Sequence, residues 1–296
     1  MLKVSDTIAL FCTGANALNR QEPLAAQALL KEKYHLNSIF HEDTYRYLPP
    51  KSRAEYFLEH LFDKNVKALW AFRGGEGTAD TIPFIHKYYK KIAKLSPKPI
   101  IGFSDITPLL IYFAQIYHWP TIHGPGAIQL IKHYLNNGSW RAVFQFLLGQ
   151  CEHANITQLK PLNSAAKVNK QIHGELIGGN LSLLNISIAD IWEINTRNKI
   201  IIIEEVNEKP HVVKRTLNYL QRLEKFKHAK AIVLGNFSYS PDTKLQTVIG
   251  QVLKNFAEEC TIPVVKTDQF GHGKKNFPLR FASKACLDLS TGTLIS

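Results

Sequence analysis

Short apolar runs alternate with longer amphipathic stretches along the first half of the chain. The runs suit strands buried on both faces of a sheet, and the stretches between them repeat apolar residues at helical spacing. The pattern predicts strands over residues 7–13, 37–41, 68–72, 99–103 and 121–123. It predicts helices over residues 22–34, 53–63, 79–95 and 106–118. This alternation favours a doubly wound, mostly parallel sheet of flavodoxin or amidotransferase type, with its chemistry at the carboxyl ends of the strands.

The pattern weakens after a predicted helix at 139–148 and resumes near residue 172. The intervening segment is rich in Asn and Lys and reads as an irregular connection. Further strands are predicted over 174–177, 199–206, 231–237 and 263–267, helices over 213–223 and 245–259, and a hairpin of 284–289 with 293–295. We therefore expect an N-terminal α/β domain over 1–152, a linker over 153–171 and a smaller C-terminal α/β domain over 172–296.

The segment 99–107, Pro-Ile-Ile-Gly-Phe-Ser-Asp-Ile-Thr, joins a predicted strand to a predicted helix. Ser104 would lie at the sharp turn between them with its hydroxyl clear of the sheet, a position that suits a nucleophile. The amide of Asp105 would then point to where negative charge develops on a substrate carbonyl. The same residues also suit an ordinary helix start, with Ser or Asp as the N-cap and Pro108 in the first turn.

A glycine-rich loop, Arg73-Gly74-Gly75-Glu76-Gly77, follows the predicted strand at 68–72. Its bare backbone N–H groups can approach a phosphate or a developing oxyanion closely. The glycine spacing matches neither the dinucleotide fingerprint nor the P-loop, and a simple tight turn explains it equally well.

Two further segments carry candidate chemistry in the second half. Glu204 and Glu205 end a strongly apolar strand, and because strand neighbours face opposite sides, only one of them can enter a given site. His272 lies between two glycines in a loop after the predicted strand at 263–267. A serine, a histidine and a carboxylate are the three ingredients of acyl-transfer chemistry. The alternatives are a solvent-facing strand end and an exposed loop histidine.

Composition narrows the class of protein. The 296 residues carry a net charge of +12, 45% hydrophobic residues and four cysteines. The cysteines form no close pair and the histidines have no metal-ligand spacing, so we expect no disulfide framework and no metal. We also expect no organic cofactor. The N-terminus resembles no signal peptide and no apolar run is long enough to span a membrane, which predicts a cytoplasmic protein. The lysine groups follow helical spacing, as on solvated helix faces, and we expect no nucleic-acid partner.

Taken together in order, six motifs resemble the LD-carboxypeptidases, that is, the cytoplasmic muramoyl-tetrapeptide carboxypeptidases and their relatives, the microcin C immunity peptidases. The resemblance runs from near the N-terminus to the last hairpin. The motifs are Arg73-Gly74-Gly75-x-Gly77, Gly102-x-Ser104-Asp105-x-Thr107, His123-Gly124-Pro125, Gly178-Gly179-Asn180-Leu181, Glu204-x-Val206-x-x-Glu208 with Arg215, and Gly271-His272.

The resemblance implies a serine peptidase, commonly a homodimer, whose Ser-Glu-His triad lies between two α/β domains. It implies Ser104 as the nucleophile, His272 as the general base and Glu204 as the residue that orients His272. The backbone amides of Gly75 and Asp105 would form the oxyanion hole, and we expect Gly74 and Glu76 to contact the substrate.

The chain departs from the family pattern at three places. Glu76 stands where an aromatic residue is frequent, Cys12-Thr13-Gly14 replaces a commoner Pro-Ser-Ser, and Ile188-Ala189-Asp190 stands where a Gly-Thr pair is frequent. None of these positions belongs to the implied triad, but the first two lie at the mouth of the expected pocket and so bear on substrate choice.

The function predicted from these observations is hydrolysis of the L,D bond before a terminal D-alanine in a murein tetrapeptide, through an acyl-enzyme on Ser104. One alternative is hydrolysis of a peptidyl or aminoacyl nucleotide, as in the microcin immunity enzymes; either substrate is a small anion that a basic protein attracts. Another is a non-catalytic module that binds an anion at the glycine-rich loop. A thiol amidotransferase is a further alternative, but it needs a cysteine at the turn where Ser104 stands.

Overall fold

Two β-sheets with helices packed against them make up the described part of the chain. The computed structural model describes residues 2–14, 19–132, 137–151, 153–168, 170–238 and 243–296. Within these residues, none of the helices is long and apolar enough to cross a bilayer.

The first sheet has the strand order expected for a doubly wound fold. Its strands are β1 Thr7–Phe11, β2 Asn37–Phe40, β3 Val66–Ala71, β4 Ile100–Gly102, β5 Thr121–His123 and, late in the chain, β12 Leu279–Arg280. The order across the sheet is β12-β5-β4-β3-β1-β2, and the first five strands of the chain run parallel. This is the flavodoxin-type order 2-1-3-4-5, in which ligands bind at the carboxyl ends of the strands. Strand β12 is added antiparallel to β5.

The helices of the first half connect these strands and cover both faces. They are α1 Gln21–Tyr34, α2 Pro50–Phe62, α3 Ile82–His86, α4 Tyr89–Ile92, α5 Thr107–Tyr117, α6 Ile128–Lys132 and α7 Asn137–Leu147. The prediction of one helix over 79–95 is wrong, because a 3₁₀ turn at Ala79–Thr81 precedes α3 and a break separates α3 from α4. At the break the amide of Tyr88 bonds the carbonyl of Ile85 at 3.0 Å, three residues back rather than four.

The second sheet has a parallel centre with antiparallel strands added on both sides. Its order is β6-β14-β13-β8-β9-β10-β11-β7, with β8 to β11 parallel. The strands are β6 Asn155–Ile156, β7 Lys160–Pro161, β8 Gln171–Asn180, β9 Lys199–Val206, β10 Ala231–Ser238, β11 Val264–Lys266, β13 Lys284–Asp288 and β14 Thr293–Ile295. The helices are α8 Leu181–Ile186, α9 Pro210–Arg222 and α10 Thr243–Glu259.

The second sheet curls so that its two edges approach each other. Strands β6 and β7 form opposite edges of the sheet, yet only residues 157–159 separate them in the chain. An extended link of that length spans at most about 14 Å, so the edges must lie within that distance. These two strands fall inside the segment predicted to be an irregular linker, which is therefore partly regular. The proposed division at 1–152, 153–171 and 172–296 stays a prediction.

Helix α5 packs between the two sheets. Every side chain from Thr107 to Ala114 is buried, and one continuous apolar core extends from the first sheet through α5 to the second. At its start, the hydroxyl of Thr107 accepts a hydrogen bond from the amide of Asn180 at 3.2 Å. Near its end, Gln115 bonds backbone groups of Glu193 and Asn195. Since α5 begins at Thr107, three residues after Ser104, this packing fixes the position of Ser104 relative to the second sheet.

Candidate active site

Ser104 lies at a sharp turn between β4 and the helical segment that leads into α5. Phe103 is extended, whereas Ser104 has φ +60°, in the left-handed region that non-glycine residues rarely adopt. Residues in such conformations are strained by about 1–3 kcal/mol and are concentrated at functional sites. Gly102 permits the turn, because a Cβ there would lie 2.8 Å from Cγ2 of Ile106. The local geometry is the strand–turn–helix of a nucleophile elbow.

The glycine-rich loop lies directly against this serine. A Cβ built on Gly74 would be 3.3 Å from Oγ of Ser104 and 3.5 Å from the amide nitrogen of Asp105. Gly75 follows with φ +131° and, like Gly74, faces a cavity that Ser104 also lines. The two loops predicted to form an oxyanion hole are therefore adjacent at the hydroxyl.

The side chain of Asp105 is buried and holds the glycine-rich loop. Its Oδ2 accepts hydrogen bonds from Oγ1 of Thr78 at 2.6 Å and from the amide of Thr78 at 3.1 Å. Burial raises the pKa of Asp105 to about 6, although the bonds from Thr78 and the nearby Arg53 oppose that rise. Arg53 in turn donates to the carbonyl of Thr13. This network of buried hydrogen bonds stabilises the turn at Ser104. Sequence reasoning missed Thr78 and Arg53, because neither belongs to a motif.

Glu204 and His272 come from the second sheet and meet Ser104. Nδ1 of His272 is 2.6 Å from Oε2 of Glu204, and Nε2 of His272 is 3.0 Å from Oγ of Ser104. A carboxylate only accepts hydrogen bonds, so Nδ1 carries the proton and Nε2 of the neutral ring accepts from the serine hydroxyl. The structure thus brings the three predicted triad residues into one hydrogen-bonded chain.

A tight loop between β11 and β12 presents His272. Gly271 has φ +102°, and a Cβ there would lie 3.0 Å from Oε2 of Glu204, so the loop runs against the carboxylate. Two hydrogen bonds secure it: the amide of Gly271 donates to Oδ1 of Asn276 at 3.1 Å, and the amide of Asn236 donates to the carbonyl of Phe270 at 2.9 Å. Nothing in the local sequence beyond the two glycines indicates these partners.

Glu204 and Glu205 have different surroundings. The side chain of Glu204 is fully buried and bonds His272, whereas Glu205 faces the other side of β9. Glu205 accepts hydrogen bonds from Nδ2 of Asn180 at 2.8 Å and from the hydroxyl and amide of Ser182 at 2.7 and 2.9 Å. This arrangement makes Glu205 an anchor for the start of α8.

The electrostatics of the pair favour charge on Glu204 and a more basic His272. Burial by itself would lower the pKa of His272, but the charge and hydrogen bond of Glu204 outweigh it and raise that pKa above its ordinary value. Burial would raise the pKa of Glu204, yet the charge and hydrogen bond of His272 outweigh it, with smaller contributions from His123 and Asn180, and that pKa is lowered. The carboxylate therefore stays ionised and stabilises an imidazolium.

A cavity of about 210 Å³ opens beside Ser104 and His272. Arg73 and Lys132 bring positive charge to its wall, and Nζ of Lys132 lies 3.3 Å from Oε1 of Glu22. The sequence analysis did not assign five of the lining residues to the site: Phe103, Gly126, Ile128, Gln129 and Lys132. The last three belong to α6, which was not predicted.

Glu76, expected to contact substrate, is exposed and does not line this cavity. Its carbonyl lies 3.4 Å from a guanidinium nitrogen of Arg53. Its role in substrate binding stays a prediction. Among the described residues, no cluster of three or more His, Cys, Asp or Glu is arranged to hold a metal ion.

Comparison with known proteins identifies the family of the chain. Sequence models of the LD-carboxypeptidase N-terminal and C-terminal domains match residues 8–124 and 173–287. A protein of Rickettsia conorii with a carboxypeptidase name is 37% identical over 219 residues, which are 74% of this chain and 67% of the relative. The murein tetrapeptide carboxypeptidase of Pseudomonas aeruginosa is 28% identical, over 86% of this chain and 83% of that protein.

Solved structures agree on the fold. A muramoyltetrapeptide carboxypeptidase from Oxalobacter formigenes superimposes with a TM-score of 0.82 at 23% identity, over 98% of this chain and 97% of that one. The protein MccF in complex with glutamyl sulfamoyl guanosine gives a TM-score of 0.80 at 21% identity, over 99% and 96%. From the matched domains and the relatives in sequence, the chain belongs to the LD-carboxypeptidase family of peptidases.

Proposed function

We propose that the protein is a serine carboxypeptidase-like hydrolase that cleaves an amide bond through an acyl-enzyme on Ser104. The observation that carries the proposal is the chain of hydrogen bonds from Ser104 through His272 to Glu204. Nε2 of His272 takes the hydroxyl proton as Oγ of Ser104 attacks the substrate carbonyl. His272 then gives that proton to the departing amine as the C–N bond breaks. Water, deprotonated by the same ring, releases the acyl group.

The amides of Gly75 and Asp105 are the proposed donors to the tetrahedral oxyanion. Their support is positional, since the Gly74–Gly75 loop and the amide of Asp105 both adjoin the serine. Preorganised donors of this kind contribute about 10²–10³-fold to the rate each. The buried hydrogen bonds from Thr78 to Asp105 hold the two loops in a fixed relative position.

The proposed substrate is a murein tetrapeptide, cut at the L,D bond before a terminal D-alanine. Sequence relatedness to the murein tetrapeptide carboxypeptidase of Pseudomonas aeruginosa favours it. The cavity also suits it. At about 210 Å³ it is smaller than sites for drug-sized ligands, and two cationic residues line it, Arg73 and the Glu22-paired Lys132. D-alanine is a small leaving group, and its carboxylate is opposite in charge to Arg73 and Lys132.

A second candidate is a peptidyl or aminoacyl nucleotide. What favours it is the fold shared with MccF, which was solved with glutamyl sulfamoyl guanosine, together with the net charge of +12. The cavity beside Ser104 is smaller than the usual site for a ligand of that size, so this substrate would have to extend beyond it.

The test separates the two substrates and the non-catalytic alternative. Purified protein is incubated with a murein tetrapeptide and with a panel of aminoacyl nucleotides, and products are identified by mass spectrometry. We expect release of D-alanine and a stoichiometric adduct of a serine-directed phosphonate on Ser104. Ser104→Ala should abolish both, and Ser290→Ala, at an exposed hairpin serine, should change neither. Turnover that survives in Ser104→Ala would refute the mechanism, and tight binding without an adduct would favour a binding module.

The assembly and location of the protein are further proposals. We propose a homodimer, as the family resemblance implies, and a cytoplasmic protein acting on recycled wall peptides. Sedimentation velocity and fractionation of cells that express a tagged chain test these two points separately from activity.

A further inference from the structure

His123, the last residue of β5, is a buried imidazole enclosed by aromatic rings. Its ring centroid lies 6.2, 5.9 and 6.4 Å from those of Phe103, Phe270 and Phe281. Its side chain is fully buried, and among the described residues neither ring nitrogen has a hydrogen-bond partner. Leaving such groups unpaired is costly, and a phenylalanine would fill the same space without that cost. The imidazole nitrogens therefore need an explanation.

Glu204, by contrast, has a buried acceptor oxygen without a hydrogen-bond donor among the described residues. Oε2 is bonded to His272, but Oε1 is equally buried and has no partner among the described residues. An ionised carboxylate can accept several hydrogen bonds and donates none. With only one oxygen held, the carboxylate is free to rotate about its last bond.

Two sets of shared contacts indicate that His123 lies near Glu204. Phe103 packs on both His123 and His272, with centroids 6.2 and 4.7 Å apart. Phe270, which also contacts His123, precedes Gly271, whose backbone runs against Glu204. Burial lowers the pKa of His123 to about 4, and the charged groups that act on it are Glu204 and His272. At neutral pH the ring is thus uncharged, with one N–H to donate.

We propose that His123 is a positioning residue whose neutral ring donates its N–H to Oε1 of Glu204, directly after a small rotation of the carboxylate or through one water molecule. The bond fixes the carboxylate plane so that Oε2 stays aimed at Nδ1 of His272. The proposal deepens the proposed function and rests on it, since it assigns His123 to the same proton relay. His123 does not touch the reacting atoms.

Two other groups compete for this role. The side chain of Asn180 also acts on Glu204 as a hydrogen-bonding group, although its Nδ2 lies 2.8 Å from Oε1 of Glu205. Nδ2 of Asn276 is also buried without a partner among the described residues, and its Oδ1 holds the amide of Gly271. Glu205 does not replace Glu204 as the acceptor for His123, because both of its oxygens already accept hydrogen bonds on the opposite face of β9. The experiment must therefore separate His123 from both asparagines.

Histidine-selective ¹⁵N NMR of the full-length protein tests the bond without substrate. We expect the His123 resonances to show one protonated and one bare nitrogen from pH 6 to 9, and to shift in Glu204→Gln. His60 is the internal reference, because it is also buried with an unpartnered nitrogen but is surrounded by other charges, among them Glu59, Asp63 and Lys98. His123 resonances unchanged in Glu204→Gln would overturn the proposal, whether or not any peptide is hydrolysed.

Kinetics of three variants test the consequence. His123→Phe keeps an aromatic ring in the cage and should lower kcat about 10- to 100-fold with little change in KM, as loss of an outer orienting bond does elsewhere. His123→Gln keeps an N–H donor and should recover part of kcat. His60→Phe should leave kcat unchanged. If His123→Phe retains wild-type kcat, the proposal is wrong.

Discussion

Oγ of Ser104 and Nε2 of His272 lie 3.0 Å apart although 168 residues separate them in the chain. The serine follows a strand of the first sheet, and the histidine follows a strand of the second. Helix α5, which begins three residues after Ser104, packs between the sheets, so the contact depends on the buried core they share.

The two neighbouring glutamates should respond differently to the same substitution. Glu204→Gln removes the charge that stabilises the His272 imidazolium and should lower kcat/KM at least ~10²-fold. Glu205→Gln should mainly lower the free energy of unfolding, because Glu205 anchors Asn180 and Ser182. Steady-state kinetics and urea unfolding of both variants check this. Equal losses of kcat/KM in the two folded variants would contradict the assignment of Glu204.

The pH dependence of kcat/KM should show the raised pKa of His272. The ring acts as a base only when neutral, so activity should rise with pH through an apparent pKa above the ordinary value of 6.5. In Glu204→Gln the residual activity should rise at lower pH, since the carboxylate that raised the pKa is gone. The pH dependence of kcat/KM, which reports on the free enzyme, measures this acid limb in wild type and in the variant. An unchanged acid limb in the variant would show that Glu204 does not act on His272.

Asp105 should make stability depend on pH in a defined window. Its folded pKa of about 6 exceeds the ordinary value of 3.8, so its contribution is complete below pH ~4 and is lost as pH rises through 6. The difference in unfolding free energy between wild type and Asp105→Asn should therefore fall by about 3 kcal/mol across that window. Asn is a suitable comparison because its carbonyl still accepts from Thr78. Denaturant unfolding at several pH values checks it, and a flat difference would refute it.

Two glycine-to-alanine changes should have opposite effects on stability. Gly102→Ala places a Cβ 2.8 Å from Ile106 and 3.0 Å from Ala71, an overpacking that costs about 1–3 kcal/mol. Gly250→Ala, within α10, meets nothing within 4 Å and should stabilise the helix by up to about 1 kcal/mol. Thermal unfolding of the two variants measures the direction of each change in stability. A Gly102→Ala variant as stable as wild type would show that the turn before Ser104 tolerates a side chain.

The sequence determined the local parts of this protein. Alternating apolar runs and helical stretches specified the parallel strands of the first sheet, because burial on both faces requires such runs. Gly102, Ser104 and Asp105 specified the turn, since only a small residue before it allows the helix to fold back. The break between α3 and α4, and the strands β6, β7 and β12, were not predicted; the three strands are two-residue pairings without a pattern of their own.

Only the tertiary structure decided which side chains meet. Sequence alternation required Glu204 and Glu205 to face opposite ways but did not say which faced His272, because strand direction and sheet pairing set that outcome. Thr78, Arg53 and His123 took their places through contacts between segments far apart in the chain. Such contacts depend on how sheets and helices pack in three dimensions, and a one-dimensional pattern of residues carries no direct record of them.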